Sequence, residues 1–321
     1  MKPLAIHAFF DTRKGHEKQT RGVLQALAAL TPVQVTEHRL PLPSLLTRIT
    51  DWLRYLLAPI LPDRKINLSD TDLIIGTGSR CHIPMLLAGR QNRASNPKII
   101  TSMSPDRILL NKFDLCLVPL HDDIPEADNI LKTTGPPCPV SNKGQHDKAK
   151  GLILIGGINN KSHHWQTPVI TKQVKEVIKA DPEIHWTVSS SPRTPTGTIE
   201  LLEIICRECD NADFFRAEDT GDGWIEKQYE QNSTVWVTAD SMSMTYEALS
   251  AGCRVGVFPI KWKKNNNKYQ RSLASLIEKN LILPFEEWQK GKSFGRQTLL
   301  LDEAGVCAKE ILKRWWPEKL Q

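Results

Sequence analysis

Short apolar runs alternate with longer amphipathic stretches along nearly the whole chain, and that rhythm leaves few folds open. The apolar runs are Leu4 to Phe10, Val33 to Val35, Asp72 to Ile75, Lys98 to Thr101 and Asp114 to Val118. A second series follows at Gly151 to Ile155, Ile184 to Val188, Ala212 to Phe215, Thr234 to Thr238 and Arg254 to Phe258. Between them lie helix-period stretches such as Glu17 to Leu30, Val169 to Ala180, Thr198 to Arg207, Ser243 to Ala251 and Gln270 to Glu278. Strands and helices in this order predict an α/β chain of parallel sheets covered on both faces. Several strands end directly in Gly, Ser, Thr or Asp, the residue types expected at the ligand-bearing carboxyl edge of such sheets.

From Thr133 to Lys150 proline, glycine and lysine dominate and apolar periodicity vanishes, which marks a boundary. The expected organisation is therefore residues 1–140 as an N-terminal Rossmann-like domain and 141–301 as a second. Residues 302–321 form a capped amphipathic C-terminal helix able to pack back on the first domain. The 321 residues suffice for two cores. A formal net charge of +6 suits an anionic ligand or membrane surface. Without an arginine-rich block, zinc-finger spacing or aromatic ribonucleoprotein signature, nucleic acid is not an expected partner. Cys206 and Cys209 have C-x-x-C form but sit inside a helical stretch with no second pair, and read as helix-face thiols. The N-terminal segment reads as a first strand rather than a secretory signal, because Asp11 interrupts its apolar stretch.

Chemistry is expected at the strand ends. After the first run comes Asp11-Thr12-Arg13-Lys14-Gly15-His16, where Gly15 permits a tight turn and Lys14 and His16 sit at a helix mouth. His16 has the chemistry of a general base near neutral pH, although the same tripeptide also suits a solvated loop. Gly76-Thr77-Gly78-Ser79-Arg80 is a second glycine-rich turn, with Arg80 placed for a phosphate or carboxylate; a plain tight turn would favour the same glycines. His121 and Asp122 follow another strand and can orient substrate or supply a base, or form a polar loop. In the second domain Gly156 and Gly157 would let backbone approach a bulky ligand. Ser189 to Pro195, with Arg193 and Thr194, resembles a phosphate clamp, and equally an ordinary Ser/Pro loop.

The most specific stretch holds Thr238, Asp240, Ser241, Ser243, Met244, Thr245 and Glu247. A strand ending at Thr238 and a helix starting near Ser243 would let Ser241 and Ser243 cap that helix and leave amides for a ligand. Glu247, at i+4 from Ser243, would accept hydrogen bonds from a ribose diol.

The motifs K-G-H-E-x-Q, G-x-G-x-R, P-x-H-D, I-G-G, a serine-then-R-T-P segment and T-A-D-S-x-S-M-x-x-E-A occur one after another along the chain. In this order, over nearly the whole chain, they resemble the Elm-like mitochondrial fission family. That family is similar in turn to GT-B glycosyltransferases. The family usually has S-R-R-T-P where this chain has Ser191-Pro192-Arg193-Thr194-Pro195, so one basic residue of a pair is missing. The resemblance implies two Rossmann-like domains with parallel sheets facing a central cleft. It also implies metal-independent transfer of a sugar from a nucleotide-sugar donor, such as in cell-envelope or lipopolysaccharide glycan synthesis. No cofactor is implied, since the nucleotide sugar is a co-substrate. Glu247 would bind ribose, Ser241, Ser243 and Thr245 the diphosphate region, Gly156 and Gly157 would line the cleft, and His16 would be the acceptor base. A nucleotide-sugar epimerase of the same fold, or a non-catalytic membrane adaptor, stays open beside it.

The acceptor side is less defined. Leu45 to Leu61 is strongly apolar with Arg48, Trp52, Arg54 and Tyr55 interspersed and Pro62-Asp63-Arg64-Lys65 following. It reads as a helix with a broad buried stripe, or as a helix lying on an anionic membrane that would favour a glycan or lipid-linked acceptor. The expected location is the cytoplasm, with peripheral contact at the inner membrane face as the second reading.

Overall fold

The computed structural model describes residues 2–41, 45–57, 68, 70–92, 95–120, 122, 124–295 and 300–320. The chain divides into two compact units, Met1–Pro139 with Asp302–Gln321, and Val140–Leu301.

In the first unit β1 (Leu4–Phe10), α1 (Lys14–Leu30), β2 (Val33–Arg39), α2 (Leu45–Leu57), β3 (Leu73–Thr77), α3 (Ser79–Gln91), β4 (Lys98–Ser102), β5 (Leu115–Pro119) and β6 (Ile130–Thr133) follow in sequence. All strand pairs of this six-stranded sheet are parallel, in the order β2-β1-β3-β4-β5-β6. Side chains alternate across a strand, so the two faces can be read from β1 itself. Leu4, Ile6, Ala8 and Phe10 join Leu73, Ile75 and Leu117 on the face covered by Val23, Leu24 and Leu27 of α1. Phe9 turns the other way, with Ile74, Cys116 and Val118, against Ile83, Leu86 and Leu87 of α3. Central strands β3 and β5 are buried throughout, as parallel strands covered on both faces must be.

The C-terminal helix (Glu303–Trp315) belongs to this unit. Asp302 caps it, its Oδ1 accepting from the Gly305 N–H at 2.9 Å. Cys307, Ala308, Ile311 and Leu312, a stripe of helical spacing, complete the α1-side core. Each fully buried aliphatic there contributes about 1.5–3 kcal/mol over remaining exposed.

The second unit contains β7 (Asp147–Leu154), β8 (His163–His164), α4 (Thr167–Ala180), β9 (His185–Ser189), α5 (Thr196–Arg207), β10 (Ala212–Phe215), α6 (Trp224–Gln231), β11 (Asn232–Thr238), α7 (Met242–Ser250), β12 (Arg254–Phe258), β13 (Lys261–Trp262), α8 (Lys268–Glu278), β14 (Ile282–Pro284) and α9 (Phe285–Gln289). Its main sheet is again parallel and six-stranded, ordered β10-β9-β7-β11-β12-β14, while β8 and β13 form a small antiparallel pair. Two cross-strand registers decide how its tryptophans fit. Gly151 faces Trp186 and Gly256 faces Trp236, and a Cβ on either glycine would enter the indole ring. The glycines let each indole lie over the neighbouring strand, where Trp236 also meets Phe258, Phe285, Trp288 and Phe294.

His82 on α3 is 1% exposed. Its Nε2 lies 3.1 Å from Thr101 Oγ1, and its Nδ1 has no partner among the described residues. Burial pushes its pKa down to about 4, because a charged imidazole cannot be solvated there. A histidine depressed in the folded state lends stability that is complete above the unfolded value and is lost as pH falls through the folded one. Between pH 6.5 and 4 this residue is expected to cost the fold about 3 kcal/mol. Urea unfolding across that range should show a shallower loss for His82→Gln than for the parent; identical slopes would remove His82 from the acid limb.

Candidate functional site

In each main sheet the chain reverses its direction of growth once, and the loops leaving the carboxyl ends of the two strands at that point diverge. In the first unit those strands are β1 and β3; in the second they are β7 and β11.

At the first of these points stands an Asp–His pair. Asp11, whose side chain is 1% exposed, follows β1, and its Oδ2 lies 2.8 Å from His16 Nδ1. Asp11 Oδ1 accepts from the Arg13 N–H at 2.9 Å, so the carboxylate is fixed before it meets the ring. A carboxylate can only accept, which puts the proton on Nδ1 and leaves the Nε2 lone pair as the basic nitrogen. The ring is half-buried, with 13% of its side chain exposed. Gly78, at φ +92°, ends β3 against this pair: a Cβ there would strike the His16 ring. Only glycine combines that conformation with that approach. Arg80 donates from Nη1 to Thr12 Oγ1 at 2.9 Å, tying the second loop to the first.

Several expectations change here. Helix α1 starts at Lys14, so Gly15 lies in its first turn with open space around it rather than forming a tight turn. Lys14 is exposed at the same helix start. Gly76 lies inside β3, where a Cβ would meet Met85 Sδ and the Phe9 carbonyl; it serves packing within the unit. Asp122 follows β5, two strands beyond β3, and accepts from Ser104 Oγ at 3.3 Å. The carboxylate on His16 is Asp11, a residue that the sequence presents only as part of the turn. His121 lies outside the described residues, as do the Arg48 side chain and Pro62 to Lys65.

The second point is a closed polar network. Asp240, after β11, has a side chain 2% exposed and holds three groups together. Its Oδ2 accepts from the Gly157 N–H at 3.0 Å and from Arg193 Nη2 at 2.9 Å; its Oδ1 accepts from Thr238 Oγ1 at 2.7 Å. Thr238 Oγ1 in turn accepts from the Gly156 N–H at 2.8 Å. Arg193 Nη1 donates to the Gly157 carbonyl at 3.1 Å. With 43% of its side chain exposed, Arg193 keeps part of its donor fork turned to solvent. Gly156 and Gly157 therefore admit protein, not an open ligand cradle: a Cβ on the first would enter the Asp240 carboxylate, and on the second the Arg193 carbonyl. Thr194 Oγ1 donates to the Gly156 carbonyl and accepts from the Ser191 N–H at 2.8 Å, so it braces the loop. Ser189 ends β9, buried.

His163 joins the network, and sequence reasoning missed it because its strand has two residues. Its Nε2 lies 3.1 Å from the Gly157 carbonyl, which can only accept, and its Nδ1 lies 2.8 Å from Ser162 Oγ. The carbonyl requires a proton on Nε2, and burial lowers the ring's pKa.

Helix α7 begins at Met242 with Ser241 in the N-cap position, yet no side chain caps it. The expected serine caps are thus absent: the buried Ser241 uses its carbonyl to accept from the Thr245 N–H and hydroxyl, and Ser243 is exposed. First-turn amides without intrahelical acceptors remain at Met242, Ser243 and Met244. Glu247, one turn on, is 4% exposed.

The family described as Mitochondrial fission ELM1 matches residues 14–315. No curated protein sequence matches this chain. Among solved structures, a putative UDP-N-acetylglucosamine 2-epimerase from Listeria monocytogenes has 12% identity and a TM-score of 0.62, over 97% of this chain and 95% of that one. The UDP-GlcNAc 2-epimerase from Neisseria meningitidis, bound to UDP-GlcNAc, has 11% identity and a TM-score of 0.57 over 97% and 99%. The glycotransferase of kitacinnamycin has 13% identity and a TM-score of 0.51 over 100% of both chains. The shared architecture is the GT-B type, whose members here include glycosyltransferases and nucleotide-sugar epimerases.

Replacing Asp240 with Ala strands the Gly157 N–H and frees Arg193, which is expected to cost about 2–3 kcal/mol. Chemical unfolding of the Asp240→Ala protein measures this; a midpoint equal to the parent's would show that the network does not hold the second unit together.

Proposed function

The chain belongs to the mitochondrial fission ELM1 family, and from that premise we propose that it is a glycosyltransferase using a nucleotide-sugar donor. The observation that carries the reading is the Asp11–His16 pair at the strand reversal of the first unit, with Nε2 left basic. A pure epimerase needs no base for an external hydroxyl; a transferase does. In the reaction His16 Nε2 takes the acceptor hydroxyl proton as that oxygen attacks the anomeric carbon. The bond from this carbon to the diphosphate oxygen breaks, and the nucleoside diphosphate leaves with the electron pair.

The second unit binds the donor in this reading. The exposed part of the Arg193 guanidinium and the first-turn amides of α7, beside Ser243, supply positive potential for the diphosphate. Glu247, nearly enclosed one turn along, accepts from the ribose hydroxyls, where low solvation makes a carboxylate bond strong. Lys14, exposed near His16, adds charge on the acceptor side.

Helix α2 supports a membrane-proximal acceptor. Ile49, Leu53, Leu56 and Leu57 are 50%, 50%, 64% and 45% exposed and fall on one stripe of the helix. Such a face, with Arg54 beside it, suits the surface of an anionic bilayer and hence a lipid-linked glycan acceptor. Among the described residues no helix is long and apolar enough to cross a membrane.

Calorimetry with UDP-, GDP-, ADP- and CMP-sugars tests the donor. One of them is expected to bind, with Arg193→Ala or Glu247→Ala weakening it roughly 10- to 100-fold. His16→Ala should spare donor binding and lower turnover by about 10²–10⁴. No binding of any sugar nucleotide at millimolar concentration overturns the proposal; a donor converted without any acceptor would make the protein an epimerase.

A further inference from the structure

Between Glu247 and Glu278 the chain carries Arg254, Lys261, Lys263, Lys264, Lys268 and Arg271 and no carboxylate. All but Arg254 gather where β13 leads into α8. The turn before β8 lies against them: the Lys263 N–H donates to the Ser162 carbonyl at 2.9 Å and Lys263 Nζ to the Asn160 carbonyl at 2.7 Å. That turn adds Lys161. All six of these side chains are exposed, and among the described residues none is ion-paired with a carboxylate.

The loop that bears them is firmly built. Trp262 and Tyr269, at its two ends, stack with ring centroids 5.7 Å apart and planes 13° from parallel. Trp262 also meets His163 edge-on at 6.0 Å. Asn267 caps α8, its Oδ1 accepting from the Tyr269 and Gln270 N–H groups while Gln270 Oε1 accepts from the Asn267 N–H. Arg271 Nη1 donates to the Asn266 carbonyl at 2.8 Å. A helix start favours carboxylates, yet the first turn of α8 has none, and Lys268 and Arg271 stand at its positive end. The charge therefore works against the local fold.

We propose that this cationic loop docks the second unit on an anionic lipid bilayer. The inference goes beyond the donor and acceptor chemistry and stands without it. Five of the six cations are lysines, whose flexible point charges suit a diffuse negative surface better than a bidentate grip on one phosphate. Trp262 and Tyr269 turn their faces to each other, which withholds them from stacking nucleic-acid bases.

The far margin of the same sheet has the opposite sign. β10 stands four places from β12 in the strand order, about 19 Å away at about 4.8 Å per strand. Between Glu203 and Asp222 seven carboxylates stand against Arg207 and Arg216, with Lys175 paired to Glu208. A negative plane attracts one margin and repels the other, so it orients the unit loop-first. The chain also carries the exposed apolar stripe of α2, and bilayer binding becomes stable where an apolar and a cationic signal combine.

Vesicles of phosphatidylcholine, alone or with about 30% phosphatidylserine, are the probes, sedimented with the full chain. Binding is expected to be at least about 100-fold tighter with phosphatidylserine in about 0.05 M salt, and to fall steeply by about 0.5 M. Each charge removed should weaken it roughly 5-fold, so the triple Lys261→Gln, Lys264→Gln, Lys268→Gln variant should lose about 100-fold. The same three lysines changed to Arg should bind like the parent, and an unchanged unfolding midpoint checks that both variants fold. Equal binding to the two kinds of vesicle, or a glutamine variant that binds like the parent, overturns the proposal. Duplex DNA held more tightly than the phosphatidylserine vesicles at the same salt would give the loop to nucleic acid instead. Self-association of the free protein that the glutamine variant abolishes would give it to a second copy, and either result also overturns the bilayer.

Discussion

Parallel pairing forces every crossover helix to begin at the same edge of its sheet. Each strand-to-helix loop therefore opens on that edge, and where the strand order reverses two neighbouring loops part and leave room. Both main sheets here obey this constraint, and both reverse once, at β1/β3 and at β7/β11. Both candidate polar networks stand at those two points, while the cores of the two sheets are built mainly from Leu, Ile, Val and aromatic residues.

The two points differ in kind. In the first unit one histidine nitrogen is fixed and the other is left basic, an arrangement that favours proton transfer. In the second, Asp240, Thr238, Arg193 and two backbone amides satisfy one another almost completely, with only the outer part of the guanidinium presented to solvent. A closed network of that type has little freedom to reorganise. It suits fixed electrostatic support for a leaving anion better than proton exchange.

The fold was largely legible in the sequence. Ten of its strands announce themselves as apolar runs, since central parallel strands are apolar on both faces. Three edge stretches did not: Ile130–Thr133 is only partly buried, Ile282–Pro284 is three residues long, and β2 continues past Val35 through polar residues exposed at a sheet edge. The site was legible to the level of its loops and no further. Residue type suggested a base at His16, but the five-residue separation from Asp11 says nothing about pairing until the turn is formed. Glycines were the most ambiguous signal. Gly76, Gly156 and Gly157 look like ligand cradles in the sequence, yet Gly76 lies within β3, and side chains and backbone of the same unit fill the space each of the three leaves. Gly78 alone among them combines a positive φ with an approach to a candidate catalytic group. Ser241 shows the same limit for capping, since its position was right and its hydroxyl forms no cap.

One device is used twice, and it explains why an aspartate stands at each reversal. Asp11 accepts a backbone N–H from Arg13 with one oxygen and holds His16 with the other. Asp240 accepts the Gly157 N–H and holds Arg193, with Thr238 on its second oxygen. Each carboxylate is anchored to main chain first, and so can orient a mobile side chain without being mobile itself. A glutamate would add a methylene and a rotatable bond between anchor and partner, and an asparagine would offer one acceptor where two are used. Burial strengthens both bonds by lowering the local dielectric, and it also makes an unpaired amide expensive. The orientation of His16 and of Arg193 is thereby tied to the integrity of the loops that carry them: neither can turn away without leaving a buried charge or N–H unsatisfied.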